Sequence, residues 1–241
     1  MILNEIGMLA VSSNRTKFYL QQMVKRQLLP SFVIYLDDSV SVTPEAKAIA
    51  QVMEEKTSVQ HHDAEISLDV TVLELLEGYR IPYQHLPTLD PNSDLVVKAV
   101  ASCSPSILIY SGPGGFILRK PLFEVGKRFL HIHSGILPYY RGSTTLYYSL
   151  LKEGQCGATA LFLDERIDTG PVIRRRAYPA PADRTAIDLH YDPLIRSELL
   201  AEVLQDYVHH GEIPSENQDN KTGETYFIIH PVLKHIAILA R

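Results

Sequence analysis

The sequence predicts an α/β fold with an open, mostly parallel sheet and helices on both faces. Short apolar runs recur at Ile6 to Val11, Phe32 to Leu36 and Ser106 to Tyr110, each bounded by polar residues, as is typical of buried parallel strands. Stretches with a helical pattern separate these runs, and this alternation indicates a parallel sheet. At 241 residues the chain is long enough to bury a full core.

The composition of the chain indicates which partners and which cellular compartment to expect. The chain has 23 basic and 28 acidic residues, a formal net charge of −5, whereas nucleic-acid-binding proteins usually present a basic face. Its two cysteines, Cys103 and Cys156, form neither a disulfide framework nor a metal-ligand set. We find no signal peptide and no apolar run of the roughly 18–20 residues that a membrane helix needs. We therefore expect a cytoplasmic protein with no nucleic-acid or membrane partner.

A polar loop follows the first strand, and Thr16 is the candidate N-cap of a helix that ends near Gln27. Such a loop lies where a doubly wound sheet offers helix N–H groups to an anion. A phosphate site and an ordinary serine-capped turn are both consistent with it. The candidate substrate-binding residues here are Ser12, Ser13, Asn14 and Arg15.

Capping residues and a glycine stop predict three more helices. They run from Thr43 to about Lys56, from Ser67 or Asp69 to Gly78, and from Asp90 or Ser93 to about Cys103. Ile81 to Leu86 is expected to be a weak strand, and residues 37–69 an insertion in the minimal fold.

Two further stretches have the pattern of a ligand site. Three glycines and a proline lie between Ser111 and Leu118, which indicates either backbone held close to a ligand or a tight turn. Further on, His131 and His133 lie two apart on a strand and so point to one face. Asp168 lies in a Gly/Pro-shaped loop after the next strand, Cys156 to Leu163. Two imidazoles and a carboxylate that converge in this way favour an active site.

The stretch from Leu108 to Arg174 resembles the 10-formyltetrahydrofolate-dependent formyltransferases, the family of the glycinamide ribonucleotide, methionyl-tRNA and sugar N-formyltransferases. The family pattern reads roughly Asn-x-His-Pro-Ser-Leu-Leu-Pro-x-Tyr-Arg-Gly, with Asp-x-Gly-x-Ile some thirty residues later. His133 matches the family's catalytic His and Asp168 its catalytic Asp, whereas His131 replaces its catalytic Asn.

The resemblance implies a Rossmann-like formyltransferase fold with 10-formyltetrahydrofolate as formyl donor and no metal. It also implies a small-molecule amine as acceptor, with a sugar nucleotide or another phosphate-bearing amine as the class that the Ser12 loop favours. The folate contacts would come from the glycine-rich loop and from the loop before Asp168. These candidates are Gly115, Phe116, Ile117, Leu118, Leu163, Asp164 and Ile167.

Formyl transfer passes through a tetrahedral oxyanion and needs a hydrogen-bond donor and a proton shuttle. We expect His133 to be the shuttle, Asp168 to orient it, and His131 to donate to the oxyanion in place of the Asn. Arg141 is expected to be structural or to face the acceptor.

Three alternatives remain open: a formyl-folate hydrolase, a folate binder without catalysis, and a Zn²⁺ or Fe²⁺ site made by the two histidines and Asp168.

The last part of the chain predicts a long helix from Thr185 to Val208, broken or kinked near Pro193. We expect a catalytic domain over residues 1–208 and a C-terminal extension over 209–241 that packs on it. The apolar run from Tyr226 to Pro231 has three possible arrangements: a strand packed back on the body, a lid, or a homodimer contact.

Overall fold

The computed structural model describes residues 1–38, 66–219 and 221–239. A seven-stranded sheet forms the centre of the molecule. In spatial order its strands are β10 (Val172–Pro179), β9 (Gln155–Phe162), β7 (Arg128–His133), β6 (Ile107–Ser111), β2 (Ile6–Val11), β4 (Val33–Leu36) and β5 (Tyr83–Leu86). Two short parallel pairs lie outside it: β1 (Ile2–Leu3) with β3 (Leu29–Pro30), and β8 (Tyr140–Gly142) with β11 (Glu224–Tyr226).

The central sheet is mostly parallel, as predicted. Neighbouring strands from β5 to β7 are parallel, while β9 runs antiparallel to β7 and β10 antiparallel to β9. Strand β10 was not predicted. Arg174, Arg175 and Arg176 lie consecutively in it and form ion pairs with acidic residues, so the stretch lacks the apolar run of the other strands.

Helices cover both faces of the sheet, which confirms the α/β class. The helices are α1 (Asn14–Lys25), α2 (Val72–Gly78), α3 (Asp94–Ser102), α4 (Lys120–Glu124), α5 (Thr145–Glu153), α6 (Asp192–His210) and α7 (Pro231–Leu239). One apolar core includes side chains of α1, α2, α5 and α6, and a second core on the other face includes those of α3 and α4.

The helix starts differ from prediction where several capping residues lie close together. The N-cap of α1 is Ser13, whose Oγ accepts the backbone N–H of Thr16 at 3.2 Å. Thr16 is therefore inside the helix, and its selection as the cap was wrong. Helix α2 begins after Thr71, which forms a capping box with Glu74, rather than after Ser67 or Asp69. Helix α3 begins after Ser93, one of the two predicted starts.

The long C-terminal helix begins later than predicted. A π-helical turn, Ile187–Tyr191, precedes α6, and Pro193 lies in the first turn of α6. Proline is tolerated there because the first N–H groups of a helix have no intrahelical acceptor, so Pro193 lies at the start of the helix and not at a kink within it. Helix α6 continues to His210, past the expected boundary between residues 208 and 209.

The C-terminal segment packs against the body as a strand and a helix. Strand β11 pairs with β8, and the Tyr226 ring stacks on Tyr140 with centroids 5.5 Å apart. Ile229 and Ala237 are buried in the first core. Gly142 in β8 has φ +97°, and a Cβ there would lie 2.1 Å from the carbonyl oxygen of Tyr226. This close approach requires glycine.

The helix predicted from Thr43 to about Lys56 lies outside the described residues, as does most of the expected insertion. Within the described ranges, no helix combines the length and apolar character needed to cross a membrane.

Candidate active site

A cavity of about 480 Å³ opens where β6 and β7 end. The carboxyl ends of parallel strands are where open α/β sheets bind ligands. Its walls come from the glycine-rich loop after β6, the loop after β9, the start of α5, the start of α6 and the β11 segment.

One side of the cavity is apolar. Phe116 and Ile117 on the glycine-rich loop are 44% and 50% exposed, and Ile167 on the facing loop is 43% exposed. Exposed apolar side chains that face one another suit a flat aromatic ligand. All the predicted folate contacts line this cavity: Gly115, Phe116, Ile117, Leu118, Leu163, Asp164 and Ile167.

The loop after β9 turns back closely on its own strand. A Cβ at Gly170 would lie 1.9 Å from the Phe162 carbonyl oxygen, so only glycine fits. The side chain of Gln218 donates to the carbonyl oxygens of Gly170 at 2.6 Å and Asp168 at 3.0 Å. Sequence reasoning missed Gln218, since a glutamine in a polar tail gives no local signal.

Asp168 and His133 lie side by side under the cavity. Asp168 Oδ2 accepts the backbone N–H of Gly142 at 2.8 Å and lies 3.4 Å from His133 Nδ1. His133 Nε2 lies 2.6 Å from the carbonyl oxygen of Tyr140. Both nitrogens of His133 therefore face acceptors of the protein, and the residue is only 5% exposed.

The two ring nitrogens of His131, unlike those of His133, have different surroundings. Its Nδ1 lies 3.3 Å from the carbonyl oxygen of Tyr110, and because a carbonyl only accepts, Nδ1 carries the proton. Nε2 of the neutral ring then holds a lone pair, and no described residue hydrogen bonds to it. Burial lowers the pKa of His131 well below its usual value, and the charges of Arg196 and Arg15 lower it further. His131 is thus a neutral ring at pH 7.

Two arginines lie beside His131 and line the same cavity. Arg15 Nε donates to Ser111 Oγ at 3.2 Å, and its terminal nitrogen donates to the Gly112 carbonyl. Arg196 Nη1 lies 3.2 Å from Asp192 Oδ2. Sequence reasoning missed Arg196 and Asp192. The sequence pattern that could have indicated them is a carboxylate and a guanidinium four residues apart, but on a helix this spacing usually makes an ion pair at the surface.

The other predicted substrate residues lie elsewhere. Ser12 is exposed, Ser13 caps α1, and Asn14 Nδ2 donates to the Leu189 carbonyl at 3.3 Å. None of the three lines the cavity. Arg141 is 6% exposed, also lies outside the cavity lining, and donates to the Thr222 carbonyl at 3.0 Å, which fits a structural role.

The two histidines and Asp168 are not arranged as a metal site. Across residues 1–38, 66–219 and 221–239, no group of three His, Cys, Asp or Glu side chains could hold a metal ion. Both nitrogens of His133 face protein acceptors, and Nδ1 of His131 faces the Tyr110 carbonyl.

Comparison with known proteins identifies the family. A family model described as "Formyl transferase" matches residues 49–192. A methionyl-tRNA formyltransferase of Citrifermentans bemidjiense is 31% identical over 128 residues, which cover 52% of this chain and 39% of that protein. The chain spans less than half the length of the curated relatives it matches most strongly.

Solved structures share the fold at low identity. Glycinamide ribonucleotide transformylase 1 from Symbiobacterium toebii is similar with a TM-score of 0.58 and 17% identity, over 89% of this chain and 93% of that one. A sugar 3N-formyl transferase, solved in the presence of dTdp and 5-N-Formyl-THF, gives 0.54 and 17%, over 92% and 69%. Since the family model spans more than half of the sequence, the chain belongs to the formyl transferase family.

Proposed function

We propose that this protein transfers a formyl group from 10-formyltetrahydrofolate to the amine of a small molecule. The observation that carries the proposal is one cavity in which an apolar slot adjoins His131, His133 and Asp168. Membership of the formyl transferase family supports the reaction type, and a neighbour solved with 5-N-Formyl-THF supports a folate donor.

The apolar slot receives the pteridine ring of the donor. Phe116 and Ile117 on one side and Ile167 on the other lose exposed apolar surface when a flat ring lies between them. The backbone of the glycine-rich loop offers polar groups for the edge of the ring.

In the reaction, the acceptor amine attacks the formyl carbon, a new C–N bond forms, and the carbon becomes tetrahedral. The attacking nitrogen must then lose a proton, and the bond from carbon to N10 of the folate must break. His131 Nε2 accepts that proton, because it is the imidazole nitrogen with a free lone pair at the cavity. The same nitrogen then returns the proton to N10 as it leaves, so that a single ring serves as general base and then general acid.

This assignment differs from the roles expected from sequence. His131 was expected to donate to the oxyanion, but with its proton on Nδ1 the Nε2 atom is an acceptor. His133 was expected to be the shuttle, but both of its nitrogens face protein acceptors. His133 and Asp168 instead hold the turn at Tyr140 and Gly142 in place beneath the reacting groups.

Calorimetric titration with 5-formyltetrahydrofolate, a stable analogue of the donor, tests the slot. Saturable binding is expected, and no binding at millimolar ligand would overturn the proposal. Tetrahydrofolate release from 10-formyltetrahydrofolate is then measured with and without a panel of small amines. Release that depends on an amine supports transfer. Equal release without amine would indicate the hydrolase, and binding without release the non-catalytic folate binder.

A further inference from the structure

Two arginines and two aspartates from α1, from α6 and from the π-helical turn before α6 line the cavity that contains His131: Arg15, Arg196, Asp188 and Asp192. Asp192 pairs with Arg196, and Asp188 pairs with Lys234. The positive charges of both arginines lower the pKa of His131.

Arg15 has hydrogen-bond partners but no counter-ion in contact. Its partners are the Ser111 hydroxyl and the Gly112 carbonyl, which are neutral. Among the described residues it forms no ion pair within 4.0 Å. Burial lowers the pKa of Arg15, and the charge of Arg196 lowers it further. A guanidinium desolvated in this way is stabilised by an anion that reaches it.

Arg196 is also incompletely satisfied. It is 7% exposed, and among the described residues its Nε–H has no hydrogen-bond partner within 3.5 Å, with the Tyr19 hydroxyl beside the guanidinium. Its ion-pair partner, Asp192, uses the second carboxylate oxygen to accept the Ser134 hydroxyl. Asp192 therefore pairs with Arg196 and not with Arg15 among the described residues, and the buried Nε–H of Arg196, a cavity-lining side chain, remains available.

We propose that Arg15 and Arg196 bind a compact oxyanion, a carboxylate or a phosphate group, carried by the amine acceptor. This inference rests on the proposed function and names its substrate class, an anionic amine. Guanidinium groups suit this role because their N–H donors match the oxygens of either anion. Of the loop that the sequence favoured, this site uses Arg15 alone, while the Ser13 hydroxyl is used as a helix cap.

The position of this oxyanion explains how the amine meets its base. Because Arg15, Arg196 and His131 line the same cavity, an anion held by the arginines keeps the amine of the same molecule in the cavity that Nε2 faces. The anion also offsets the positive charge around the ring, which makes His131 a stronger base when the acceptor is bound.

The test compares inorganic phosphate, acetate and chloride at equal ionic strength as ligands of the full chain. Thermal midpoints are measured for the wild type, Arg196→Gln, Arg15→Gln, and Arg26→Gln as a control. Arg26 is exposed and lies outside the cavity lining. Phosphate stabilises many proteins by exclusion from their surface, so only the difference between variants counts.

We expect phosphate, acetate or both to stabilise the wild type and Arg26→Gln more than chloride does. Binding to Arg196→Gln should be about tenfold weaker, as for loss of a charged hydrogen bond, and Arg196→Lys should restore part of it. Whichever anion responds identifies the group on the acceptor. Equal responses in all variants would overturn the inference.

Binding of 5-formyltetrahydrofolate is measured on the same samples, which separates this inference from the proposed function. If folate binds and the anions do not, only the proposed oxyanion site is overturned. If the anions bind and folate does not, only the proposed function is overturned. If Arg196→Gln fails to fold, Arg15→Gln decides the question by the same criterion.

Discussion

The carbonyl of Tyr110 fixes the tautomer of His131. The two atoms involved, His131 Nδ1 and the Tyr110 carbonyl oxygen, lie 3.3 Å apart. Tyr110 lies in β6, one residue before the strand ends and the glycine-rich loop begins, so the backbone that leads into the apolar side of the cavity also sets which nitrogen of His131 carries the proton. An asparagine at this position, as in the family pattern, would present an amide donor and no base.

The variant His131→Asn therefore tests whether His131 acts as a general base or as a hydrogen-bond donor. If Nε2 is the proton acceptor, His131→Asn lowers the single-turnover rate of formyl transfer by about 10²- to 10⁴-fold. Affinity for 5-formyltetrahydrofolate, measured by calorimetry, should stay within about twofold, since the ring does not form the slot. A faster enzyme would mean that His131 is a poor substitute for an amide donor.

The pH dependence of kcat/KM should reflect the lowered pKa of His131. Burial, Arg196 and Arg15 all disfavour the charged ring, so the neutral base persists below its usual pKa of about 6.5. The acidic limb of the profile should then lie at lower pH than that of an ordinary histidine. In Arg196→Gln, one of the opposing positive charges is absent, and this limb should move to higher pH. An unchanged limb would contradict the assignment of His131 as base.

The same lowered pKa affects stability. The unfolded chain binds a proton at this histidine more readily than the folded chain does, so stability is lost as pH falls below about 6.5 and towards the folded pKa. Urea unfolding at pH 7.5 and pH 5 should show a smaller loss for His131→Asn than for the wild type. Equal losses would show that other groups dominate this pH range.

Phe116 should contribute to folate affinity by burying its exposed ring. Phe116→Ser should weaken binding of 5-formyltetrahydrofolate about tenfold, which corresponds to about 1–2 kcal/mol of apolar burial. Leu95→Ser is a matched control, because Leu95 is 52% exposed and does not line the cavity. Similar losses in both variants would argue against the slot.

The close contact at Gly142 predicts a local effect on β11. Gly142→Ala introduces both a residue at positive φ and a clash with the Tyr226 carbonyl, whereas Gly126→Ala has φ +77° with no atom within 4 Å of the new Cβ. We expect Gly126→Ala to cost about 1 kcal/mol of unfolding free energy and Gly142→Ala more. Faster amide hydrogen exchange in residues 224–226 should occur in Gly142→Ala only. Equal exchange in both variants would contradict the contact.

Local patterns predicted most strands of the central sheet and the glycine-rich loop that lines the cavity. Parallel strands bury both faces and so appear as apolar runs, and three glycines after such a run indicate close backbone approach. His131, His133 and Asp168 were predicted together, because the carboxyl ends of adjacent strands meet. These features depend on residues close in sequence.

The features that the sequence did not predict depend on contacts between residues far apart in the chain. Arg196 enters the cavity only because α6 begins at Asp192, after a π-helical turn that no residue pattern indicates. The roles of the two histidines depend on the carbonyls of Tyr110 and Tyr140, and every residue has a carbonyl. The packing of the backbone, and not the identity of the side chain, sets the direction in which each of these carbonyls points.

The pairing of β8 with β11 has a consequence for the order in which the site is assembled. Residues 140–142 leave the ribosome well before residues 224–226, so β8 has no partner strand during that interval. The sheet and the apolar slot can form first, while the wall contributed by Thr225, Tyr226 and Phe227 is the last to be added. A nascent chain should accordingly complete the apolar side of the cavity before the wall that β11 contributes.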